Sequence, residues 1–299
     1  PVLANEWRPG MSDQEIETFF SRLESYPRKP EQAIIDYLEW DHRELLELLK
    51  DLRHARYPEI VERIFTARTK RLGKRFWGNK TPDYCFHVPR LLELFPESKL
   101  IFLIRDGRDV TLSYQSCDWG PNNALECARY YQKLANHYKN ARESFPDAAI
   151  MVTRYEDLTA DPRETLKQIC DFIGVGYEPE MLEFNNNLSA HFASEEALKD
   201  HQKLKNPARA DSVARWRKEM RRRNIVQFEA IAGDSLTLFN YDHHAPQSME
   251  WLWFYGARIW NKTQSLKYHA TEVSAWTIKK LFRRFGKHYS FKWHNTKRA

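Results

Sequence analysis

The chain has 299 residues, 42% of them apolar and 14% aromatic, enough to bury a core in one large domain or two small ones, which excludes disorder as its main state. Mean hydropathy is −0.72 and no apolar run nears the roughly 20 residues of a bilayer-spanning helix, so an integral helical membrane protein is excluded as well. The formal charge is +6, from 47 basic and 41 acidic side chains, yet residues 273–299 alone hold eight cations and no acid, leaving 39 against 41 elsewhere. Basicity confined to a tail argues against a nucleic-acid partner, whose binding stripe sits on the folded domain itself.

The chain opens at Pro1 with no charged-then-apolar leader, which gives a cytoplasmic expectation, peripheral to a membrane if the tail docks there. Cys85, Cys117, Cys127 and Cys170 lack the spacing of a zinc or redox site, so they are expected reduced and buried, with no metal. Ser12-Asp13-Gln14-Glu15 is a capping-box sequence, predicting a helix to about Leu23. Apolar spacing predicts further helices from Glu31 to Lys50 and from Pro58 onward, together a helical insert.

After a turn at Gly78-Asn79-Lys80-Thr81-Pro82, a short helix is predicted over Val88–Phe95. Lys99–Arg105 follows, whose five consecutive apolar residues read as a strand buried on both faces of a parallel sheet. Helices are predicted from Asp109 and over Asn123–Phe145, and a second strand over Ala148–Arg154. The next helix opens at Asp161-Pro162 and stops at Gly174, and more helices are expected over Asp211–Tyr241. This order implies an α/β domain with right-handed crossovers, binding its ligand at the carboxyl ends of the strands.

Two loops lie at that end. Arg105-Asp106-Gly107-Arg108-Asp109 joins strand to helix, so Arg105 and the helix amides suit an anion, with Ser113 adding a hydroxyl. The competing reading is a structural Arg105–Asp109 ion pair with Ser113 on the surface. Lys80 is either a solvated turn residue or an ammonium aimed at a phosphate or developing oxyanion.

Taken in order, Trp77-Gly78-Asn79-Lys80-Thr81-Pro82, the Leu91–Ser113 block and Arg154-Tyr155-Glu156-Asp157-Leu158 with Asp161-Pro162 resemble the sulfotransferases that use 3′-phosphoadenosine 5′-phosphosulfate (PAPS). The likeness covers about residues 76–175, and a weaker match at Ser212-Val213-Ala214-Arg215-Trp216 extends it to about 245. The resemblance implies the P-loop-like sulfotransferase fold, a central parallel sheet flanked by helices. It implies that Arg105 and Ser113 grip the donor's 3′-phosphate, that Tyr155 lies against the nucleotide, that Arg209 adds a second phosphate contact, and that Lys80 stabilises the transferred sulfuryl group. The Asn-Lys-Thr-Pro form is similar to the bacterial, protein-tyrosine and heparan-modifying branches, and Pro82 stands where phenol sulfotransferases carry a histidine base. In the related branches the base is a glutamate, matched here by Glu6, whose other reading is a frayed terminal acid. The family's Pro-x-Ser-Gly-Thr-Thr loop for the 5′-phosphosulfate has no counterpart in the sequence, so the N-terminal strand, loop and helix are expected to be missing.

The expected organisation is a sulfotransferase domain over 1–245 and an aromatic, basic tail over 246–299. Aromatics interleaved with cations suit a helix lying in a lipid interface; the other reading is aromatic packing followed by a disordered basic end. The expected activity is sulfuryl transfer from PAPS, a co-substrate needing no metal, to an acceptor hydroxyl or amine on a carbohydrate, lipid, small molecule or protein. The alternative is a non-catalytic protein of this fold that binds anionic membrane or polyanion through its tail. A nucleotide-sugar glycosyltransferase lacks its Asp-x-Asp metal pair here.

Overall fold

The computed structural model describes residues 7–25, 27–29, 32–33, 42–52, 54–115, 120–187, 212–247 and 249–266. It divides into two compact units: residues 1–103, 136–153 and 164–178 form the first, and 104–135, 154–163 and 179–299 the second.

In the first unit, helix α1 (Asp13–Ser25) starts as the capping box predicts. The Ser12 amide donates to Glu15 Oε2 at 2.9 Å and the Glu15 amide to Ser12 Oγ at 3.4 Å, so two orphan donors are satisfied reciprocally. Of the start of the helix expected from Glu31, only Gln32 and Ala33 lie among the described residues, and they are extended. Strands β1 (Pro27–Lys29) and β2 (Gln32–Ala33) pair antiparallel instead, because Pro27 fixes its own φ and Pro30 biases Lys29 toward extended backbone. Helix α2 (His42–Leu49) takes the later part of the predicted segment, and α3 (Tyr57–Arg71) begins with Pro58 in its first turn. Their apolar faces meet in a core of Trp7, Phe19, Leu45, Leu49, Ile60 and Ile64, and the Trp7 indole donates to Ala55 O at 2.7 Å. The helical insert therefore has a hydrophobic core of its own.

A second cluster in this unit surrounds the sheet. Val88 and Leu92 of α4 (Val88–Leu94) pack with Ala141, Leu100, Phe102 and Ile150. Strands β3 (Leu100–Ile104) and β4 (Ile150–Arg154) are neighbours in a two-stranded parallel sheet. Between them the chain runs through α5 (Gly107–Tyr114) and the long α6 (Ala124–Ser144), the crossover a parallel pair requires. One expectation is corrected: β3 is not buried on both faces. Its exposure alternates, with Ile101 39% and Leu103 56% accessible, because successive side chains point to opposite faces and the core cluster takes only Leu100 and Phe102. After β4 come α7 (Tyr155–Ala160), which was not predicted, and α8 (Pro162–Ile173). Gly174, at φ +89°, ends α8 where expected, and Lys99 Nζ donates to the terminal carbonyls of Phe172 and Ile173, both at 2.8 Å, complementing the helix's negative end.

The second unit is organised around α10 (Arg222–Leu238), which follows a short α9 (Trp216–Glu219). Phe228, Ala232 and Leu236 of α10 are fully buried. Gly107 opens α5 against Phe228 and Tyr131, and a Cβ there would overlap Phe228 Cζ and lie 2.9 Å from Tyr131 Cδ2. Gly107→Ala is thus expected to destabilise by about 1–3 kcal/mol, the usual cost of overpacking, read as a lower midpoint in urea. An unchanged midpoint would show that the two rings yield freely. A last helix, α11, covers residues 250–266.

Cys127 and Cys170 are buried free thiols, as expected, whereas Cys85 is only half-buried; it sits in the 3-10 turn Pro82–Phe86, with its Sγ 2.7 Å from Pro82 O. Cys117 lies outside the described residues. No helix among the described residues is long and apolar enough to cross a membrane.

Candidate functional site

The site grows from the carboxyl ends of β3 and β4. Arg105 leaves β3 and its Nη2 donates to Ser212 O at 2.6 Å. The guanidinium carbon lies 4.9 Å from the ring centroid of Tyr155, the first residue of α7. The Tyr155 hydroxyl shares a 2.9 Å hydrogen bond with Ser212 Oγ. Arg105, Tyr155 and Ser212 are thus mutually locked, and Arg105 Nε is buried with no hydrogen-bond partner among the described residues. A buried donor without an acceptor is costly, and an anion beside it would relieve that cost.

Two of the amides at the start of α5 are engaged within the protein. Asp106 is the N-cap and its Oδ1 accepts the Arg108 amide at 2.9 Å, while the Asp106 amide donates to Glu156 Oε1 at 2.9 Å. These two donors are consumed by protein carboxylates. The alternative of an Arg105–Asp109 ion pair is replaced by a different arrangement. Asp109 Oδ1 accepts the Trp216 amide at 2.8 Å and Oδ2 the Ala214 amide at 2.7 Å. Burial pushes the Asp109 carboxyl above its ordinary range, opposed by these two hydrogen bonds and by the Arg105 charge. They hold Ala214 in left-handed backbone, φ +56°, a conformation costing about 1–2 kcal/mol for a residue with a Cβ. The segment presenting Ser212 to Arg105 is held by Asp109.

Behind this surface lies Arg108, 1% exposed. Its Nε and Nη2 donate to Asp106 at 3.0 and 2.8 Å, Nη1 to Glu229 at 2.6 Å, and Nη2 also to Asp242 O at 2.8 Å. The Trp216 ring covers it at 3.6 Å. Burial alone would lower its pKa, but the hydrogen bonds and charges of Asp106 and Glu229 outweigh that and raise it. At β4, Arg154 packs over the Tyr241 ring at 4.4 Å, and the Tyr241 hydroxyl donates to Glu156 Oε2 at 2.6 Å. Burial first, and then Glu156, raise the Tyr241 pKa.

Ser113 lies in the second turn of α5, half-buried. Lys80 belongs to the first unit, in an exposed loop whose neighbours are fixed. Asn79 Nδ2 donates to Tyr84 OH at 3.2 Å, Thr81 Oγ1 donates to Asn79 Oδ1 at 3.1 Å, and Pro82 starts the 3-10 turn. On the other side, Trp77 stacks on Phe65 at 4.7 Å. The Lys80 backbone is therefore positioned while its ammonium is exposed to solvent. Glu6 and Arg209 lie outside the described residues. No group of three or more His, Cys, Asp or Glu among the described residues is arranged to hold a metal.

Sequence reasoning missed Arg108 and Ser212. Nothing local separates Arg108 from Arg105 in Arg-Asp-Gly-Arg-Asp; the clue to Ser212 was the weak match around Trp216.

The sequence profile of the sulfotransferase family matches residues 9–179, more than half of the chain and all of the segment carrying Lys80, Arg105, Ser113 and Tyr155. The chain belongs to the sulfotransferase family. It is 26% identical over 193 residues to a protein-tyrosine sulfotransferase of Drosophila melanogaster, covering 56% of this chain and 36% of the fly protein. It is 20% identical over 180 residues to protein-tyrosine sulfotransferase A of Caenorhabditis elegans, covering 56% and 47%. This sulfotransferase chain thus spans less than half the length of either relative. Among solved structures it is similar to the sulfotransferase domain from the curacin biosynthetic pathway, at a TM-score of 0.49 and 19% identity over 70% of this chain and 77% of that one.

Proposed function

We propose that this sulfotransferase-family chain transfers a sulfuryl group from PAPS to an acceptor hydroxyl or amine, without a metal. The observation that carries the reading is Arg105, braced by Ser212 and Tyr155 and left with a buried Nε that has no acceptor among the described residues. In this reading Arg105 and Ser113 bind the 3′-phosphate of the donor and the Tyr155 ring lies against the nucleotide. The Lys80 ammonium neutralises charge developing on the transferred group. Bond making from the acceptor oxygen or nitrogen to sulfur accompanies breaking of the sulfur–oxygen bond to the nucleotide phosphate, and a base takes the acceptor's proton. Glu6 is the proposed base and Arg209 a proposed second phosphate contact. Positioning and fixed positive charge supply most of the acceleration. The names of the relatives make a tyrosine peptide the first acceptor to try.

Calorimetry with 3′-phosphoadenosine 5′-phosphate, beside transfer of radiolabelled sulfate from PAPS to tyrosine peptides, sugars and phenols, tests the proposal. Arg105→Ala is expected to weaken nucleotide binding by about 10- to 100-fold, as for a charge-assisted hydrogen bond worth roughly 1.5–3 kcal/mol. Wild-type chain that folds and takes up no nucleotide would overturn it.

A further inference from the structure

Helix α11 is amphipathic in the opposite sense to a surface helix of a globular protein, which turns its apolar stripe inward. Several of its polar side chains face the protein. Glu250 accepts from Arg222 Nε and Nη2 at 2.7 and 2.9 Å. Asn261 accepts from Arg129 Nη1 through its backbone oxygen at 3.1 Å and through Oδ1 at 3.2 Å, and donates to Gln132 Oε1 at 3.3 Å. Arg129 Nη1 also donates to Ser265 Oγ at 3.3 Å, and Ala257 is buried between these anchors in sequence. Four of its apolar side chains are exposed, Leu252 at 69%, Tyr255 56%, Ile259 65% and Leu266 61%, whereas Trp253, Phe254 and Trp260 are half-buried.

At about 100° per residue, the four apolar residues fall within an arc of about 60°, centred about 150° from the anchors, along about 21 Å of helix. Trp251 stacks on Tyr255 with centroids 5.5 Å apart, widening the apolar face with the aromatic type that favours a water–lipid boundary. The charges beside the stripe have one sign. Arg258 and Lys262 are exposed along one of its edges, placed to lay their stems on apolar surface with their heads in water. From residue 251 to the end, the sequence carries eleven basic residues against one acid, Glu272.

We propose that α11 lies in the interface of an anionic lipid bilayer, its Leu252–Tyr255–Ile259–Leu266 stripe entering the headgroup and acyl boundary while Arg258, Lys262 and the basic residues that follow meet the lipid phosphates. The excess of positive charge selects a lipid surface over a second copy of this chain, since two such faces would repel. The inference rests on α11 and the charge that follows it, independently of any transfer reaction.

Sedimentation of the full chain with phosphatidylcholine vesicles, with and without phosphatidylserine, tests it. Binding is expected only with phosphatidylserine, and is expected to weaken when ionic strength rises from about 0.1 to about 1 M, which shortens the screening length from ~10 to ~3 Å. The double variant Leu252→Glu/Ile259→Glu is expected to bind at least tenfold more weakly while keeping its circular dichroism and melting temperature. A second variant, with Lys279, Lys280, Arg283 and Arg284 changed to Gln and the stripe intact, should also bind more weakly. Undiminished binding by the double glutamate variant overturns the proposal. So does equal binding to both vesicle types, retention on heparin without vesicle binding, or a dimer that the glutamates dissolve and vesicles do not.

Discussion

Replacing Arg108 with alanine is expected to remove about 3–5 kcal/mol of stability, a large share of the roughly 5–15 kcal/mol that holds a domain folded. The loss comes from what is left behind more than from what is taken away. Asp106 and Glu229 are buried and each faces Arg108 across less than 3 Å, so its removal strands two carboxylates in a medium that solvates them poorly. The triple change Arg108→Met/Asp106→Asn/Glu229→Gln removes the charges together and should cost less than the single substitution. Urea midpoints of the two variants decide the matter: a triple variant at least as unstable as the single one would show that the network is held by packing, including the Trp216 ring, and not by charge balance. Because Asp106 also caps α5 and Arg105 precedes it, the single variant is expected to lose nucleotide binding as well.

Lys80→Ala is expected to leave stability and binding of 3′-phosphoadenosine 5′-phosphate unchanged and to lower kcat by about 100- to 1,000-fold, the usual cost of removing one donor aimed at developing charge. The expectation follows from the contrast between Lys80 and its neighbours. Asn79, Thr81 and Pro82 are committed to the turn, whereas the exposed Lys80 makes no ion pair among the described residues. Turnover of the alanine variant equal to that of the unaltered chain would end the assignment of Lys80 and, with it, the proposed transfer mechanism. Lys80→Arg, which keeps the charge on a different stem and fork, should recover part of the rate if charge alone matters.

The helical insert and the strand–helix alternation were legible in the residues because they depend on short-range rules. Ser12 and Glu15 make a capping box wherever they stand at that spacing. Gly174 stops α8 because glycine adopts φ +89° without a Cβ penalty. The hairpin at Pro27–Ala33 was not legible, because its pairing depends on which of two local preferences finds a partner. The face exposure of β3 was likewise hidden: five consecutive apolar residues state that the strand is apolar and leave open how many of its faces are covered.

At the site, the motif order pointed to Arg105, Tyr155 and Lys80 without distinguishing a binding arginine from a structural one. Arg105 and Arg108 differ by three positions and by nearly everything in their surroundings. One keeps a buried Nε with no acceptor among the described residues, and the other is saturated by two carboxylates, a carbonyl and an indole face. That distinction is set by Ser212, Glu229 and Asp242, more than 100 residues further along the chain. The amino-acid sequence by itself determined the family, most of the element order and the types of side chain available. Only the tertiary structure decided which cation has a donor to spare and which face of α11 meets solvent, because burial and hydrogen-bond partnership arise between segments distant in sequence, where local pattern carries no information.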